Sequence, residues 1–381
     1  MRSHDGDVPV TPSGRFSGKR LRVRGPVLDD VRGNVRRAAL SSKGKTLKDL
    51  AARLDISIAT ASRALAGHAR IAPETRRRVA EAAREIGYVP NRAARALVSG
   101  RSGFAALALP VAGLGVGDAF MGEFVAGLTA GLGQAGLDLL LTTAPEDRTE
   151  VAVIQDLVES RRADGLIVAR LQEEDPRVAY LLGVGAPFVA YGRLRDPGVA
   201  FPWVDTDGRA AFAEAFDLLY DLGHRRFALV SVDEPLTYRV HREGGVADAM
   251  ARRADPSVTL ERIAVPRFDA ETRAAAIRAM FSRPDRPTAV IGLFDGLAIA
   301  VLAEAERLGI DVPGQVSVIG FDNTPEAPHA RPGLTTFDAQ IRDCAEAMAA
   351  MLAGVIADAT APPATRLVRP TLVPRGSHGP A

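Results

Sequence analysis

Residues 46–67 read TLKDLAARLDISIATASRALAG, and this stretch decides how the front of the chain folds. Leu47, Leu50, Ala51 and Leu54 recur at helical spacing and give one apolar face. Asp55 follows where the chain must turn sharply, and Asp tolerates a left-handed backbone there. Ser57 is a good N-cap for a second helix whose Ala61, Ala64 and Leu65 face inward. Ile58, Ala59, Thr60, Ser62 and Arg63 are then left pointing outward. A short exposed helix with one Arg, small hydroxyls and no carboxylate suits the DNA major groove. Two short amphipathic helices joined by a turn also occur in many all-α proteins, so the pattern alone does not decide function.

The next pieces narrow it. PETRRRVAEAAREI (73–86) predicts a third helix, with Pro73 at its first position and Gly87 just past its end. YVPNRAARALVSGRS (88–102) follows, where Asn91 can cap a short helix carrying Arg92, Arg95, small alanines and an apolar Leu97. In order and spacing, residues 46–102 resemble the headpiece of the LacI/GalR family of bacterial transcriptional regulators, through TLKDLAARLDIS, ATASRAL and YVPNRAARAL. The resemblance continues more weakly toward the C-terminus.

Charge agrees with a two-part molecule. The formal net charge is +2, but residues 1–44 carry ten Lys/Arg against four Asp/Glu and residues 45–102 twelve against five. The other 279 residues carry 26 against 37. A basic front is the footprint of phosphate contact, while an acidic remainder stays off DNA. Residues 1–44, rich in Gly, Pro, Ser and Arg, read as a disordered basic arm, or as translation from an upstream start codon.

A chain of 381 residues implies two or three domains. Cys344 is alone, so no internal disulfide is possible. There is no apolar run of membrane-spanning length and no apolar core like that of a signal peptide, so a cytoplasmic protein is expected.

From residue 103 short apolar runs alternate with amphipathic stretches: FAALALPV, a helix at 118–135, LDLLLTT, a helix at 149–162, GLIVAR and PFVAYG. The rhythm repeats after 204, through RRFALVSV, RIAV, TAVIGL and VSVIGFD with helices between. Alternation of this kind builds parallel sheets covered by helices, here twice. The resemblance implies a two-subdomain core of periplasmic-binding-protein-like type I. Subdomain 1 is expected at about 103–204 and 337–360, and subdomain 2 at about 205–335 and 365–374. Crossings are expected near 203–206, 334–337 and 360–367. The string LVPRGS at 372–377, familiar from protease-cleavable tags, reads as native sequence at the family's usual end.

Open α/β sheets bind ligands beyond the carboxyl ends of their strands. Asp322 follows one such strand, and Arg242 resembles a family arginine that clamps hydroxyls or carboxylates. A guanidinium fork and a carboxylate can together hold vicinal hydroxyls. Phe120, Tyr191, Arg193, Trp203, Phe294 and Asp295 are further candidates. Each has a plain structural alternative as a core residue, turn cap or ion-pair partner. Phe294-Asp295 departs from the Asn-Asp pair common in the family, and Ala339 stands where a Gln is usual. YGR (191–193), PWVD (202–205) and LTYRVH (236–241) look most like the α-glucoside-sensing branch, which implies a neutral sugar effector.

By the same resemblance, Thr46, Ser57 and Thr60 would contact phosphates, with Leu47 and Arg70 beside them. Ile58, Ala59 and Arg63 would face base edges. Asn91, Arg92, Ala94 and Leu97 would belong to a hinge helix at 91–98, with Leu97 as a minor-groove wedge. The expected protein is a homodimeric repressor of a palindromic operator. No enzyme constellation, cofactor motif or metal spacing is found: there is no P-loop or GxSxG, and GLGVG at 113–117 lacks its third glycine. The alternatives are a sugar receptor for transport, which has no use for residues 46–102, and an α/β enzyme with an accessory DNA-binding domain.

Overall fold

The structure is a computed structural model that describes residues 45–65, 67, 69–88, 100–110, 119–145, 147–194 and 200–381. The basic arm, the GLGVG stretch and the hinge residues Asn91, Arg92, Ala94 and Leu97 lie outside the described residues. The chain divides into two units, Met1–Asn91 and Arg92–Ala381.

The first unit holds α1 (Leu47–Leu54), α2 (Ile58–Leu65) and α3 (Pro73–Glu85). Each boundary has a local cause. Thr46 and Asp49 form a capping box: the Thr46 amide donates to Asp49 Oδ2 at 2.8 Å, and the Asp49 amide donates to Thr46 Oγ1 at 3.3 Å. Asp55 ends α1 at φ 51°. Ser57 caps α2, its Oγ accepting from the Thr60 amide at 3.0 Å. Gly87 lies past α3 at φ 66°. Leu50, Ala64, Val79, Ala82 and Ala83 form the small core, rimmed by Leu47, Leu54, Ile56, Leu65, Ile71, Ile86 and Tyr88.

The second unit has two lobes. Lobe 1 is a six-stranded sheet in the order β11-β5-β4-β3-β1-β2, every pair parallel. Its strands are β1 (Phe104–Pro110), β2 (Asp138–Ala144), β3 (Gly165–Val168), β4 (Phe188–Tyr191), β5 (Trp203–Thr206) and β11 (Thr365–Val368). Its helices are α4 (Ala119–Gln134), α5 (Glu150–Glu159), α6 (Pro176–Val184) and α11 (Ile341–Ala357). Helices α4 and α11 lie backbone to backbone: a Cβ on Gly127 would stand 2.5 Å from the Arg342 carbonyl oxygen.

Lobe 2 is a parallel sheet in the order β7-β6-β8-β9, from β6 (Arg226–Val232), β7 (Thr259–Val265), β8 (Ala289–Gly292) and β9 (Ser317–Ile319). Around it lie α7 (Gly208–Asp221), α8 (Thr237–Arg253), α9 (Ala270–Phe281) and α10 (Asp295–Arg307). Gly245 permits the contact of α7 with α8, since a Cβ there would stand 2.1 Å from the Arg209 carbonyl oxygen. A separate antiparallel pair joins β10 (Thr336–Asp338) to β12 (Thr371–Val373).

One boundary differs from the expectation. Residues 365–368 do not belong to subdomain 2, because β11 pairs in parallel with β5 at the edge of the lobe 1 sheet. The third crossing therefore falls after Val368, whose carbonyl accepts from the Asp207 amide of the first crossing at 2.8 Å. The LVPRGS string is woven into lobe 2. Ser377 is fully buried, donates to the Val318 carbonyl at 2.6 Å and accepts from the Thr335 amide at 2.8 Å. Arg375 donates to the Leu334 carbonyl and to Asn323 Oδ1, both at 2.7 Å.

Candidate effector cleft and DNA-contact helix

Helix α2 presents the surface expected of a groove reader. Ile58 is 49% exposed, and Ala59 and Arg63 are exposed one turn apart. No carboxylate lies in α2. Arg63 is exposed, and no ion pair to it is found among the described residues. Arg70 is exposed in the turn before α3. Leu47 is half-buried against the headpiece core. The hydroxyls of Thr46, Ser57 and Thr60 are engaged in the caps, with Ser57 Oγ 2.8 Å from Thr60 Oγ1.

In the core, a cavity of about 560 Å³ opens where the strands of both lobes end. Lobe 1 contributes Phe120 from the start of α4, Arg170 and Leu171 after β3, Tyr191 at the end of β4, and Asp205 and Thr206 of β5. Lobe 2 contributes Thr237, Tyr238, His241 and Arg242 of α8, Arg267, Phe268 and Arg273 after β7, Phe294 before α10, and Asp322, Thr324 and Glu326 after β9.

Arg242 and Asp322, paired by sequence reasoning, do meet. Arg242 Nη2 is 3.6 Å from Asp322 Oδ1, while Nη1 donates to the Leu293 carbonyl at 2.6 Å. The guanidinium lies 3.8 Å from the Phe321 ring centroid and 4.8 Å from that of Tyr238, so aromatic faces fix its plane. Its Nε is a buried side-chain polar atom with no hydrogen-bond partner among the described residues. Asp322 has φ 116°, a conformation that costs a non-glycine residue about 1–3 kcal/mol and that concentrates at ligand clamps.

On the lobe 1 side, Tyr191 packs with Phe120 and Phe124 at centroid distances of 5.7 and 5.2 Å. Burial raises its phenol well above the ordinary value, so it stays protonated and able to donate. Burial also pushes Asp205 up to about 6, against the opposing pull of Arg193 and the Thr206 amide. Arg170 is fixed from behind. Its carbonyl accepts from Arg177 Nη2 at 2.9 Å, and the buried Arg177 is bonded to Asp175 and Glu150, each at 2.6 Å.

Three expected effector contacts do not line the cavity. Arg193 turns to Asp205 at 3.2 Å and Asp207 at 3.8 Å, holding a lining residue rather than lining the site itself. Trp203 packs in the second lobe 1 core cluster, the one that includes Phe188 and Phe201. Asp295 is fully buried at the start of α10. Its Oδ2 accepts from the Thr324 amide at 2.8 Å and its Oδ1 from Thr336 Oγ1 at 2.5 Å, which ties α10 to the segments beside the cleft. Sequence reasoning missed Arg170, Asp205, Tyr238, His241, Arg267 and Phe268. Arg170, Asp205 and Arg267 sit within two residues of a strand's end and Phe268 three past one, which was the available signal.

Among the described residues no His/Cys/Asp/Glu cluster could hold a metal ion, and no helix is long and apolar enough to cross a membrane. A helix-turn-helix unit and a two-lobed core with a cleft at its strand ends define a DNA-binding regulator of the effector-sensing type. Comparison with known proteins agrees. Residues 46–91 match the model of bacterial regulatory proteins of the lacI family, and residues 216–378 match the periplasmic binding protein-like domain. The HTH-type transcriptional regulator AglR of Rhizobium meliloti is 35% identical over 344 residues, 88% of this chain and 94% of that protein. The HTH-type transcriptional regulator RafR of Escherichia coli is 34% identical, over 74% of this chain and 82% of that protein. A solved complex of the transcriptional regulator CelR with cellobiose superposes with TM-score 0.64 at 26% identity, covering 87% of this chain and 99% of that one. The lac repressor dimer bound to operator shares the fold, with TM-score 0.73 at 20% identity over 88% of this chain and 99% of that one. The chain belongs to the lacI family of bacterial regulatory proteins. It is a DNA-binding transcriptional regulator, and the transport-receptor alternative falls, because relatives matched over headpiece and core together are regulators.

Proposed function

We propose that this regulator is a homodimeric repressor whose cleft takes a neutral sugar of α-glucoside type and whose headpieces bind a palindromic operator. The observation that carries the sugar reading is the Arg242–Asp322 pair, set among aromatic faces with the buried Arg242 Nε without a hydrogen-bond partner among the described residues. A fork of donors beside a carboxylate matches vicinal hydroxyls, and flat rings match the apolar C–H face of a pyranose. Four of the lining charges have partners nearby, Arg242 with Asp322, Arg267 with Glu234 and Asp205 with Arg193. An uncharged effector therefore fits this cleft better than an ionised one.

For DNA, Arg63 supplies bidentate contact to guanine, and Ile58 and Ala59 supply apolar contact to thymine methyls. Thr46, Ser57, Thr60, Leu47 and Arg70 position the headpiece on the backbone. Asn91, Arg92, Ala94 and Leu97 belong to a hinge that orders on the operator, and the effector acts by changing that order. The cellobiose bound in the solved CelR complex supports the ligand class. A thermal-shift screen of sugars, followed by binding of the upstream DNA with each hit, tests the reading. At least one sugar is expected to raise the melting temperature and alter DNA affinity. An Asp322→Asn variant that still unfolds cooperatively and responds to that sugar unchanged would remove the basis of the proposal.

A further inference from the structure

Phe268 is an anomaly at the cleft mouth. It is a large apolar side chain, 50% exposed, on the short turn between β7 and α9, and it lines the cavity. Exposed aromatics on loose turns are common, but this turn is fixed on both sides. On one side the Arg267 carbonyl accepts from Arg273 Nη1 at 2.7 Å. On the other, Asp269 caps α9, its Oδ1 accepting from the Thr272 amide at 3.0 Å. The ring is thus presented to solvent by a braced backbone, which leaves apolar area uncovered.

Its surroundings show what would cover it. The Arg267 guanidinium lies 5.8 Å from the Phe268 ring centroid, 5.1 Å from that of Phe294 and 5.8 Å from that of Tyr238. Arg267 is held there by Glu234 at 3.1 Å and by the Tyr238 hydroxyl. Tyr238 in turn stands 4.8 Å from the Arg242 guanidinium. The lobe 2 wall therefore carries two arginine–aromatic clusters that share Tyr238. Arg242 with Asp322 makes the inner one, and Arg267 with Phe268 and Phe294 makes the outer one.

We infer that the outer cluster is a second sugar subsite, in which Phe268 stacks on the distal ring of a glycoside of two or more units, so that the regulator selects such glycosides over monosaccharides. This rests on the sugar reading of the inner cluster. The outer cluster is built like the inner one, a fixed fork of donors beside flat apolar faces, and the Phe268 side chain is half-exposed where it lines the cavity.

Calorimetric titration of the full-length protein with maltose, trehalose, sucrose, melibiose, cellobiose and glucose tests it, together with Phe268→Ala and Phe268→Tyr. At least one of the disaccharides is expected to bind at least tenfold more tightly than glucose. Phe268→Ala should weaken that disaccharide about tenfold, leave glucose within twofold and leave the melting temperature unchanged, because the side chain is half-exposed. Phe268→Tyr should restore the disaccharide's affinity. Equal affinity for glucose and every disaccharide, or an equal loss for both in Phe268→Ala, would overturn the second subsite while leaving the sugar reading in place. If none of these sugars binds, both fall.

Discussion

Replacing Asp295 with Asn separates a supporting role from a ligand-contact role, because the two make opposite forecasts. The Asp295 carboxylate is fully buried, and burial lifts it from the ordinary 3.8 to about 6 against the hydrogen bonds from Thr336 and the Thr324 amide. A folded value above the unfolded one means that the native state holds the proton more tightly. The stability this gives is complete below pH 3.8 and is lost as pH rises to about 6. At neutral pH the ionised group then carries a cost of up to about 3 kcal/mol. Asn has the same shape and no charge. Its carbonyl can accept from the Thr324 amide while its NH2 donates to the Thr336 hydroxyl. Asp295→Asn should therefore stabilise the core at pH 7 by about 1–3 kcal/mol, raising the melting temperature by roughly 3–8 °C. The gain should shrink to nothing near pH 4. Asp295→Ala should instead destabilise by about 2–4 kcal/mol, since it strands a buried amide and a hydroxyl. Thermal unfolding of the three proteins from pH 4 to 8, with effector response measured alongside, decides it. An Asn variant that is less stable at pH 7, or one that folds well and no longer responds to effector, would refute the supporting role.

Other expectations follow from single contacts. Ser57→Ala removes the α2 cap and should lower headpiece stability by about 1 kcal/mol, read from its unfolding transition. Arg63→Ala should cost about 1–3 kcal/mol in operator affinity and relax preference at one base pair, measured by competition with operator variants. His224, buried between Thr288 and Ser317, is pushed below the ordinary 6.5 by burial, so it resists protonation in the folded core. Its contribution is intact above pH 6.5 and is lost as pH falls below it, so the loss of stability on acidification from pH 7 to 5 should be smaller in His224→Gln, and an undiminished loss would contradict this. Gly245→Ala forces a methyl against the Arg209 carbonyl and should lower core stability by about 1–3 kcal/mol in denaturant unfolding.

Much of this molecule was legible where causes are local. The α1–α2 turn could be read from Asp55 and Ser57 because a left-handed residue and an N-cap act within a few positions. The strands could be read from apolar runs, and Arg242 and Asp322 from resemblance joined to the strand-end rule. What escaped depends on partners distant in sequence. Nothing within residues 365–368 says that they pair with β5 rather than join lobe 2. Helices α6 and α11 were not picked out beforehand, although Asp175 and Pro176 mark the start of α6. Asp295 misled because an Asp at a strand-to-helix turn can face a ligand or brace the turn, and here the Thr324 amide and Thr336 hydroxyl behind it decide the direction. Arg267 and Phe268 were findable from their place after β7, but the bracing that makes Phe268 informative exists only in three dimensions.

The central claim is that sugar in the cleft changes the grip of the headpieces on DNA. Fluorescence anisotropy of the full-length protein on labelled upstream DNA, titrated with the best sugar from the thermal-shift screen, tests it most directly. The account predicts an affinity change of at least tenfold, about 1.4 kcal/mol of coupling, in the native protein. It predicts little or none in a folded Asp322→Asn variant. A sugar that binds the core tightly yet leaves the DNA isotherm unmoved would contradict it.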